Sequence, residues 1–176
     1  HKKNYSLIDF NRAGVPLMEL VTEPVIKSSQ QASAFAREFQ LLIRYLGIAE
    51  ANMEKGEMRI EANISVSKEG KLGTKTEVKN LNSFKVVEKA IEYEIQRQIG
   101  LLEKGEKIVQ ETRGWDENKT ETFSQRSKEE SQDYRYFPDP DLPKLKLSEV
   151  KEFSEISLAR EIGDLPWEKR GKYKKH

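Results

Sequence analysis

The sequence contains no cysteine, and its only two histidines are the terminal residues His1 and His176. The lack of cysteine excludes disulfides, thiolate nucleophiles, iron–sulfur clusters and cysteine-ligated zinc sites. With no internal histidine, serine–histidine catalysis and a multi-histidine metal site are nearly excluded as well. The residue types left for chemistry are carboxylates, amides, hydroxyls, lysine and arginine, which suit oxygen-ligated Mg²⁺ and phosphate.

Long apolar runs and an excess of one charge are also missing. No segment approaches the roughly 20 apolar residues that cross a bilayer, and no signal peptide is visible, so we expect a soluble, cytoplasmic protein without membrane contact. The 31 basic and 30 acidic residues give a net charge of +1, so any RNA contact must be local. The 176 residues predict one domain, and the start at His1 without Met indicates a fragment of a longer protein.

The pattern of apolar residues predicts an α+β fold, mainly an antiparallel β-sheet with long helices packed on one side. Helices are predicted for residues 29–46, after a capping serine at Ser28, and from Phe84 to about residue 104, after Asn82 or Ser83. Weak helical signals follow Leu147 and predict a short helical C-terminal segment. The predicted strands span Tyr5–Phe10, Leu17–Val21, Met58–Val66, Thr74–Lys79, Lys107–Trp115 and Thr120–Arg126.

The strand Met58–Val66 carries the first candidate site. Apolar and polar residues alternate along it, which places Arg59, Glu61 and Asn63 on one face. The next strand offers Lys75 and Glu77, together with Lys79, on a single face. A carboxylate between a guanidinium and an amide suits Mg²⁺ and phosphate. The simpler alternative is a solvated strand face with a lattice of weak cross-strand ion pairs. The candidate catalytic residues are therefore Arg59, Glu61, Asn63, Lys75 and Glu77.

Three further segments contain candidate binding residues. Arg12, in the turn Asn11–Pro16, is a candidate clamp for an anion, although a tight hairpin explains the turn equally well. The joint from Lys79 to Ser83 is a candidate phosphate site at a helix N-terminus, with Ser83 as a plain N-cap as the alternative. The loop Asp133–Pro138 interleaves aromatic rings with arginine, which suits RNA bases, or simply pins the loop to the core. The candidate anion- or phosphate-binding residues are Arg12, Lys79, Asn80, Asn82 and Ser83, and the candidate RNA-binding residues are Arg135 and Tyr136.

Five stretches together resemble one protein family. They read YSLIDFNRAGVPLMELVTEP, MEKGEMRIEANISV, GTKTEVKNLNSFKVVEKAIEYEIQRQ, QETRGWDE and DYRYFPDPDLP. In this order they are similar to the GatB family of aspartyl/glutamyl-tRNA amidotransferases. The resemblance implies that residues 1–146 are the C-terminal part of a catalytic domain grouped with glutamine synthetase and guanidino kinases. Residues 147–176 would then begin the helical region that follows.

The resemblance also implies a function, that of a carbon–nitrogen ligase with glutamine as amido donor. In this family GatB joins GatA and GatC in a heterotrimer and uses ATP and Mg²⁺ to phosphorylate the side chain of Glu or Asp misacylated on tRNA(Gln) or tRNA(Asn). Ammonia that GatA releases from glutamine then displaces the phosphate. The family usually has Arg-Cys-Asp-Ala-Asn where this chain has Arg59-Ile60-Glu61-Ala62-Asn63, so Glu61 stands at the position of a metal ligand.

Other family metal ligands lie in segments that precede this sequence, so we expect the isolated fragment to be inactive. Two alternatives stay open. One is a homologue of the archaeal GatE type, which usually carries a large insertion that is not visible here. The other is a non-catalytic RNA-binding or assembly module, for which a Mg²⁺-binding polar face would serve no purpose.

Overall fold

A computed structural model of the chain describes residues 7–68, 70–127 and 140–174. It confirms the α+β class. The strands are Ile60–Ile64 (β1), Thr76–Leu81 (β2), Glu111–Asp116 (β3) and Glu121–Ser127 (β4), and the helices are Ser29–Tyr45 (α1), Phe84–Glu103 (α2), Glu155–Ile162 (α3) and Pro166–Tyr173 (α4). Two 3-10 turns, Leu147–Glu149 and Lys151–Phe153, precede α3. None of the described helices is long and apolar enough to cross a membrane.

The strands form one mixed sheet in the order β1-β2-β3-β4. The pairs β1/β2 and β3/β4 are antiparallel, as the two predicted hairpins require, whereas β2 and β3 are parallel. The parallel pair arises because the 20-residue helix α2 connects β2 to β3 and returns the chain to the same end of the sheet. The sheet is therefore mainly antiparallel, with a crossover connection that the strand pattern alone did not reveal.

Helix α2 covers one face of the sheet and forms the core with it. Ser83 begins the helix, where its hydroxyl accepts a hydrogen bond from the amide of Val86. Val87 and Ile91 on α2 pack against Val78 and Ile64 of the strands. Each such buried aliphatic side chain contributes roughly 1.5–3 kcal/mol through removal from water.

Helix α1 packs against α2, and its Ala32 also packs against the hydrophobic core that α2 forms with the strands. The hydroxyl of Ser33 donates to the carbonyl of Phe84 at 3.2 Å, and the hydroxyl of Ser29 donates to Glu92 at 3.0 Å. The start of α1 follows the predicted cap, because Ser28 Oγ accepts from the amide of Gln31.

The strands predicted for Tyr5–Phe10 and Leu17–Val21 are wrong for the residues that the structure describes. Residues 7–10 and 15–23 form no strand, although the predicted turn at residues 11–14 is present. Leu7 and Leu17 are 89% and 90% exposed. Their alternation resembles a strand, but within the described chain no neighbouring strand pairs with these segments and no core covers them. The boundary proposed after residue 146 remains a prediction.

Candidate functional site

Most of the polar side chains of the strands lie on the face of the sheet opposite α2. Glu61 and Asn63 are exposed, while Ile64 of the same strand is buried. On β2, Thr76 and Val78 are fully buried and alternate with Glu77 and Lys79. The predicted alternation is thus confirmed on both strands. We call the surface formed by Glu61, Asn63, Glu77, Lys79 and Thr112 the polar face.

Ion pairs and one hydrogen bond connect the side chains of the polar face. Lys79 Nζ lies 3.3 Å from Glu61 Oε1 and 3.7 Å from Glu77 Oε1. The hydroxyl of Thr112 donates to Glu77 Oε2 at 2.9 Å. Asn63 stands directly opposite Glu77 in the β1/β2 register. Two carboxylates therefore lie within ion-pair distance of one ammonium group.

These ion pairs add little to the stability of the fold. The side chains of Lys79 and Glu61 are 34% and 46% exposed, and surface pairs of this kind contribute roughly 0–1 kcal/mol. A ligand could therefore rearrange Lys79 and Glu61 at small cost. The same geometry agrees with the simpler alternative of an ion-pair lattice.

The other candidate residues lie at the margins of the polar face or away from it. Arg59 and Lys75 are exposed and immediately precede β1 and β2. Arg12 donates from its guanidinium to the carbonyls of Lys55 and Gly56, at 3.3 and 3.4 Å, and so contacts the loop before β1. Arg135 and Tyr136 lie outside the described residues, together with the rest of their loop.

The joint between β2 and α2 has a clear structural role. Asn80 adopts a positive φ of 64° where the β1/β2 register shifts, which is a conformation that asparagine tolerates better than most residues. Ser83 is the N-cap of α2, and Asn82 beside it is exposed. The polar residues of this joint are therefore placed by the bulge and by the helix start, at one end of the polar face.

The donor set of the polar face fits part of a Mg²⁺ site. Among the described residues, no group of three or more histidine, aspartate and glutamate side chains is arranged to hold a metal ion. Mg²⁺ in phosphoryl-transfer sites, however, commonly uses one or two carboxylates and takes its other ligands from water and phosphate. Glu61 and Glu77 supply such a pair on either side of Lys79.

Three residues on this side of the sheet were missed by the sequence analysis. Thr112 and Gly114 of β3 stand next to Glu77 and Lys79 because β2 and β3 are parallel, and Phe123 of β4 is paired with Gly114. No local pattern predicts that pairing. The motif QETRGWDE, which contains Thr112 and Gly114, was the one available signal that β3 belongs to the site.

The sequence analysis also missed a second polar cluster, which lies between α2 and the sheet. The carboxylate of Glu94 is fully buried. It accepts two hydrogen bonds from Arg97 at 2.7 and 2.9 Å, and one each from Gln98 and Thr122 at 2.9 Å. Arg113 Nε lies 3.5 Å from it. We call this group the Glu94 cluster; it joins α2 to β3 and β4.

The hydrogen bonds of Glu94 decide its protonation state. Burial by itself raises the pKa of the Glu94 carboxyl, but the hydrogen bonds from Arg97, Gln98 and Thr122 outweigh burial and hold the pKa below its ordinary value. The hydrogen bonds between Arg97 and Glu94 raise the pKa of the Arg97 guanidinium. Glu94 is therefore ionised at neutral pH and serves the interior of the fold.

Comparisons with known proteins point to one family. A family model described as the GatB/GatE catalytic domain matches residues 1–152. The chain is 53% identical over 171 residues to the B subunit of the aspartyl/glutamyl-tRNA(Asn/Gln) amidotransferase of Crocosphaera subtropica, and this match covers 96% of the chain and 34% of that protein.

Proteins of the same name in Bdellovibrio bacteriovorus and Persephonella marina are also similar. Each is 49% identical, with 91% and 99% of the chain and 35% and 37% of those proteins covered. The chain therefore spans about a third of the length of the curated relatives that it matches.

Proposed function

The chain belongs to the GatB/GatE catalytic-domain family, and from that membership we propose that it acts in tRNA-dependent amidation, as the synthetase part of a complex with GatA and GatC. ATP would activate the side-chain carboxylate of Glu on tRNA(Gln) or of Asp on tRNA(Asn). Ammonia from glutamine would then displace the phosphate to give the amide.

The observation that carries this proposal is the pair of carboxylates that share Lys79 on the polar face. Phosphoryl transfer depends mainly on positioning and on charge stabilisation, and it needs no nucleophilic cysteine or histidine from the protein. The polar face presents Glu61 and Glu77, each within ion-pair distance of Lys79, on neighbouring strands of the sheet. Carboxylates and lysine are the residue types that this chemistry requires.

Each residue then has a defined task. Glu61 and Glu77 would hold Mg²⁺, and the bound ion would neutralise phosphate charge. Lys79, which contacts both carboxylates in the structure, is free to turn toward phosphate oxygens once a cation takes its place. Arg59 and Lys75, exposed at the starts of the two strands, would add positive charge where the acyl phosphate develops negative charge.

Substitution of Glu61 tests the proposal. In the complete gene product with its partner proteins, Glu61→Ala should lower ATP-dependent amidation of misacylated tRNA by about 100-fold or more, because one carboxylate ligand is lost. Glutamine hydrolysis should continue, and Glu61→Asp should retain amidation because the carboxylate is kept. The measurements are amide formation on tRNA and glutamate release, made on the same preparations.

Glu106→Ala is the matched control, since Glu106 is an exposed glutamate in the loop after α2. It should leave both activities unchanged. Near-normal amidation by Glu61→Ala would show that Glu61 takes no part in the reaction and that its ion pair with Lys79 is only a surface contact.

A further inference from the structure

We propose that Phe123 and Gln125 of β4, with Gly114 of β3 beside them, bind the heteroaromatic base of the nucleotide whose phosphates lie over Glu61 and Lys79. This inference rests on the proposed function, because it assigns the base end of the same nucleotide. It adds a binding surface on the β3/β4 half of the sheet, next to the charged β1/β2 half.

The strand register places these residues in one row across the sheet. Lys79 is opposite Gly114 in the parallel β2/β3 pair, and Gly114 is opposite Phe123 in the antiparallel β3/β4 pair. Directly paired residues lie on the same face of a sheet. The Lys79–Glu61 ion pair at 3.3 Å extends the row to β1. The row therefore runs from a carboxylate through an ammonium group and a glycine to an aromatic ring.

The neighbouring pair in the register confirms which face this is. Trp115 and Thr122 are paired, and both point toward α2. Thr122 donates to Glu94, and the ring of Trp115 meets that of Tyr93 edge to face at 6.2 Å. Because successive residues of a strand alternate, Gly114 and Phe123 point away from α2, onto the same side as the polar face.

Gly114 is what allows the ring and the amide to lie on this surface. A Cβ atom at position 114 would come within 2.7 Å of Phe123 Cζ and 2.6 Å of Gln125 Nε2. The Phe123 ring and the Gln125 amide therefore extend across β3 toward β2, over the backbone of Gly114. Any larger residue at position 114 would push both side chains back toward β4.

The chemistry of this patch fits a base attached to an anion. Phe123 remains 42% exposed although its ring leans over Gly114, so a stacking surface is open beside a cluster of charges. A ring can stack on a base, and a side-chain amide can hydrogen-bond to the edge of the base. Two strand spacings separate β4 from β2, on the order of 10 Å, which is comparable with the reach of a nucleotide from its base to its phosphates.

The experiment compares a ligand that has a base with one that has none. Binding of ATP and of inorganic tripolyphosphate, each with Mg²⁺, would be measured by calorimetry on the complete gene product with its partner proteins. Phe123→Leu keeps an apolar cover over Gly114 but removes the stacking ring. It should weaken ATP binding about tenfold, which is within the range for the loss of one base stack, and leave tripolyphosphate binding unchanged.

Further variants separate binding from folding. Gly114→Ala should also weaken the binding of ATP but not that of tripolyphosphate. Gln125→Ala should weaken ATP binding by a few-fold. Phe35→Leu is the matched control, since Phe35 on α1 is 41% exposed and lies far from this row in the fold. Circular dichroism of each variant checks that the fold is retained.

Three results would overturn the inference. If Phe123→Leu binds ATP as tightly as the wild type, Phe123 takes no part in binding the base. If Phe123→Leu weakens the binding of ATP and of tripolyphosphate equally, the ring only covers Gly114 and supports the sheet. Both results leave the proposed function standing. If the wild type binds neither ligand, the proposed function fails, and the base site fails with it.

Discussion

The buried carboxylate of Glu94 shows how much one side chain can depend on its partners. Its ionised form is desolvated inside the fold, yet five donor groups from Arg97, Gln98, Thr122 and Arg113 surround it. Without the charge of Glu94, Arg97 and Arg113 would keep, among the described residues, only Glu111 as a counter-charge, and removing one partner of a buried ion pair is strongly destabilising. Glu94 is therefore the residue of the described chain at which we expect the largest single loss of stability.

Glu94→Gln should lower the free energy of unfolding by roughly 3–5 kcal/mol at neutral pH, because two arginines lose their buried counter-charge. Urea titration of the chain measures this. Glu103→Gln on the exposed end of α2 is the control and should change the free energy by less than about 0.5 kcal/mol. An equally small effect of Glu94→Gln would show that the Glu94 cluster is not needed for stability.

Acid should lower the stability of the wild type in part by protonating the Glu94 carboxylate. The pKa of Glu94 in the folded chain lies below its ordinary value of 4.5. The stability that ionised Glu94 contributes is thus fully present above pH 4.5 and is lost as pH falls through the lower folded pKa. In urea titrations between pH 7 and about pH 3, Glu94→Gln should lose less stability than the wild type. Equal losses in both proteins would contradict this assignment.

At the scale of elements, Gln98 connects α2 to the end of β1. Its amide nitrogen donates to the carbonyl of Ile64, and its amide oxygen accepts from the amide of Val66, both at 3.1 Å. The side chain thereby takes the place of a strand neighbour beyond the last β1/β2 pair. Because Asn63 of the polar face lies next to Ile64, this contact also fixes the end of β1 on which the site is built.

Gln98→Leu should leave the Val66 amide and the Ile64 carbonyl without their partner. Each of the two unsatisfied groups costs about 1–3 kcal/mol, so we expect a loss of roughly 2–6 kcal/mol. Hydrogen exchange gives a more direct readout, since the amide of Val66 should exchange faster. Gln96→Leu, at an exposed position of the same helix, should leave that amide protected. Unchanged exchange at Val66 in Gln98→Leu would mean that the contact does not hold the end of β1.

At the scale of the whole molecule, three polar contacts join α4 and the turn before it to α1. The Tyr45 hydroxyl donates to the carbonyl of Asp164 at 2.8 Å, and Lys169 lies 4.8 Å from the centre of the Tyr45 ring. Arg170 forms an ion pair with Glu38. Exposed contacts of this kind are weak and are screened by salt. The attachment of α4 should therefore be much less stable than the packing of α2 on the sheet.

Tyr45→Phe should loosen α4 without affecting the sheet. It removes one hydrogen bond of about 0.5–1.5 kcal/mol, so amides of α4 should exchange up to about tenfold faster. Amides of β2 and β3 should be unaffected. Tyr173→Phe is the control, because Tyr173 is 78% exposed on α4 itself. If α4 exchanges at the wild-type rate in Tyr45→Phe, the other contacts hold the helix without this hydrogen bond.

The sequence by itself determined those features that depend on neighbours along the chain. Ser28 and Ser83 mark the starts of α1 and α2, because a capping hydroxyl acts within one turn of its own residue. The alternation from Met58 to Val66 placed Glu61 and Asn63 on one face, because the period of a strand is two. Four of the five residues of the polar face were therefore predictable, including the carboxylates on both sides of Lys79.

Tertiary structure alone decided which strands meet and which polar groups are buried. The parallel pairing of β2 with β3 brings Thr112, Gly114 and Phe123 to the site, and it joins segments that lie more than 30 residues apart. Glu94 was missed because a glutamate on a helix usually faces solvent, and its burial requires Arg113 and Thr122 from strands that follow later. The strand predictions within residues 7–23 were wrong for the opposite reason, because they assumed a tertiary contact that the described structure does not contain. Their alternation was strand-like, but a strand forms only where another strand supplies its hydrogen bonds.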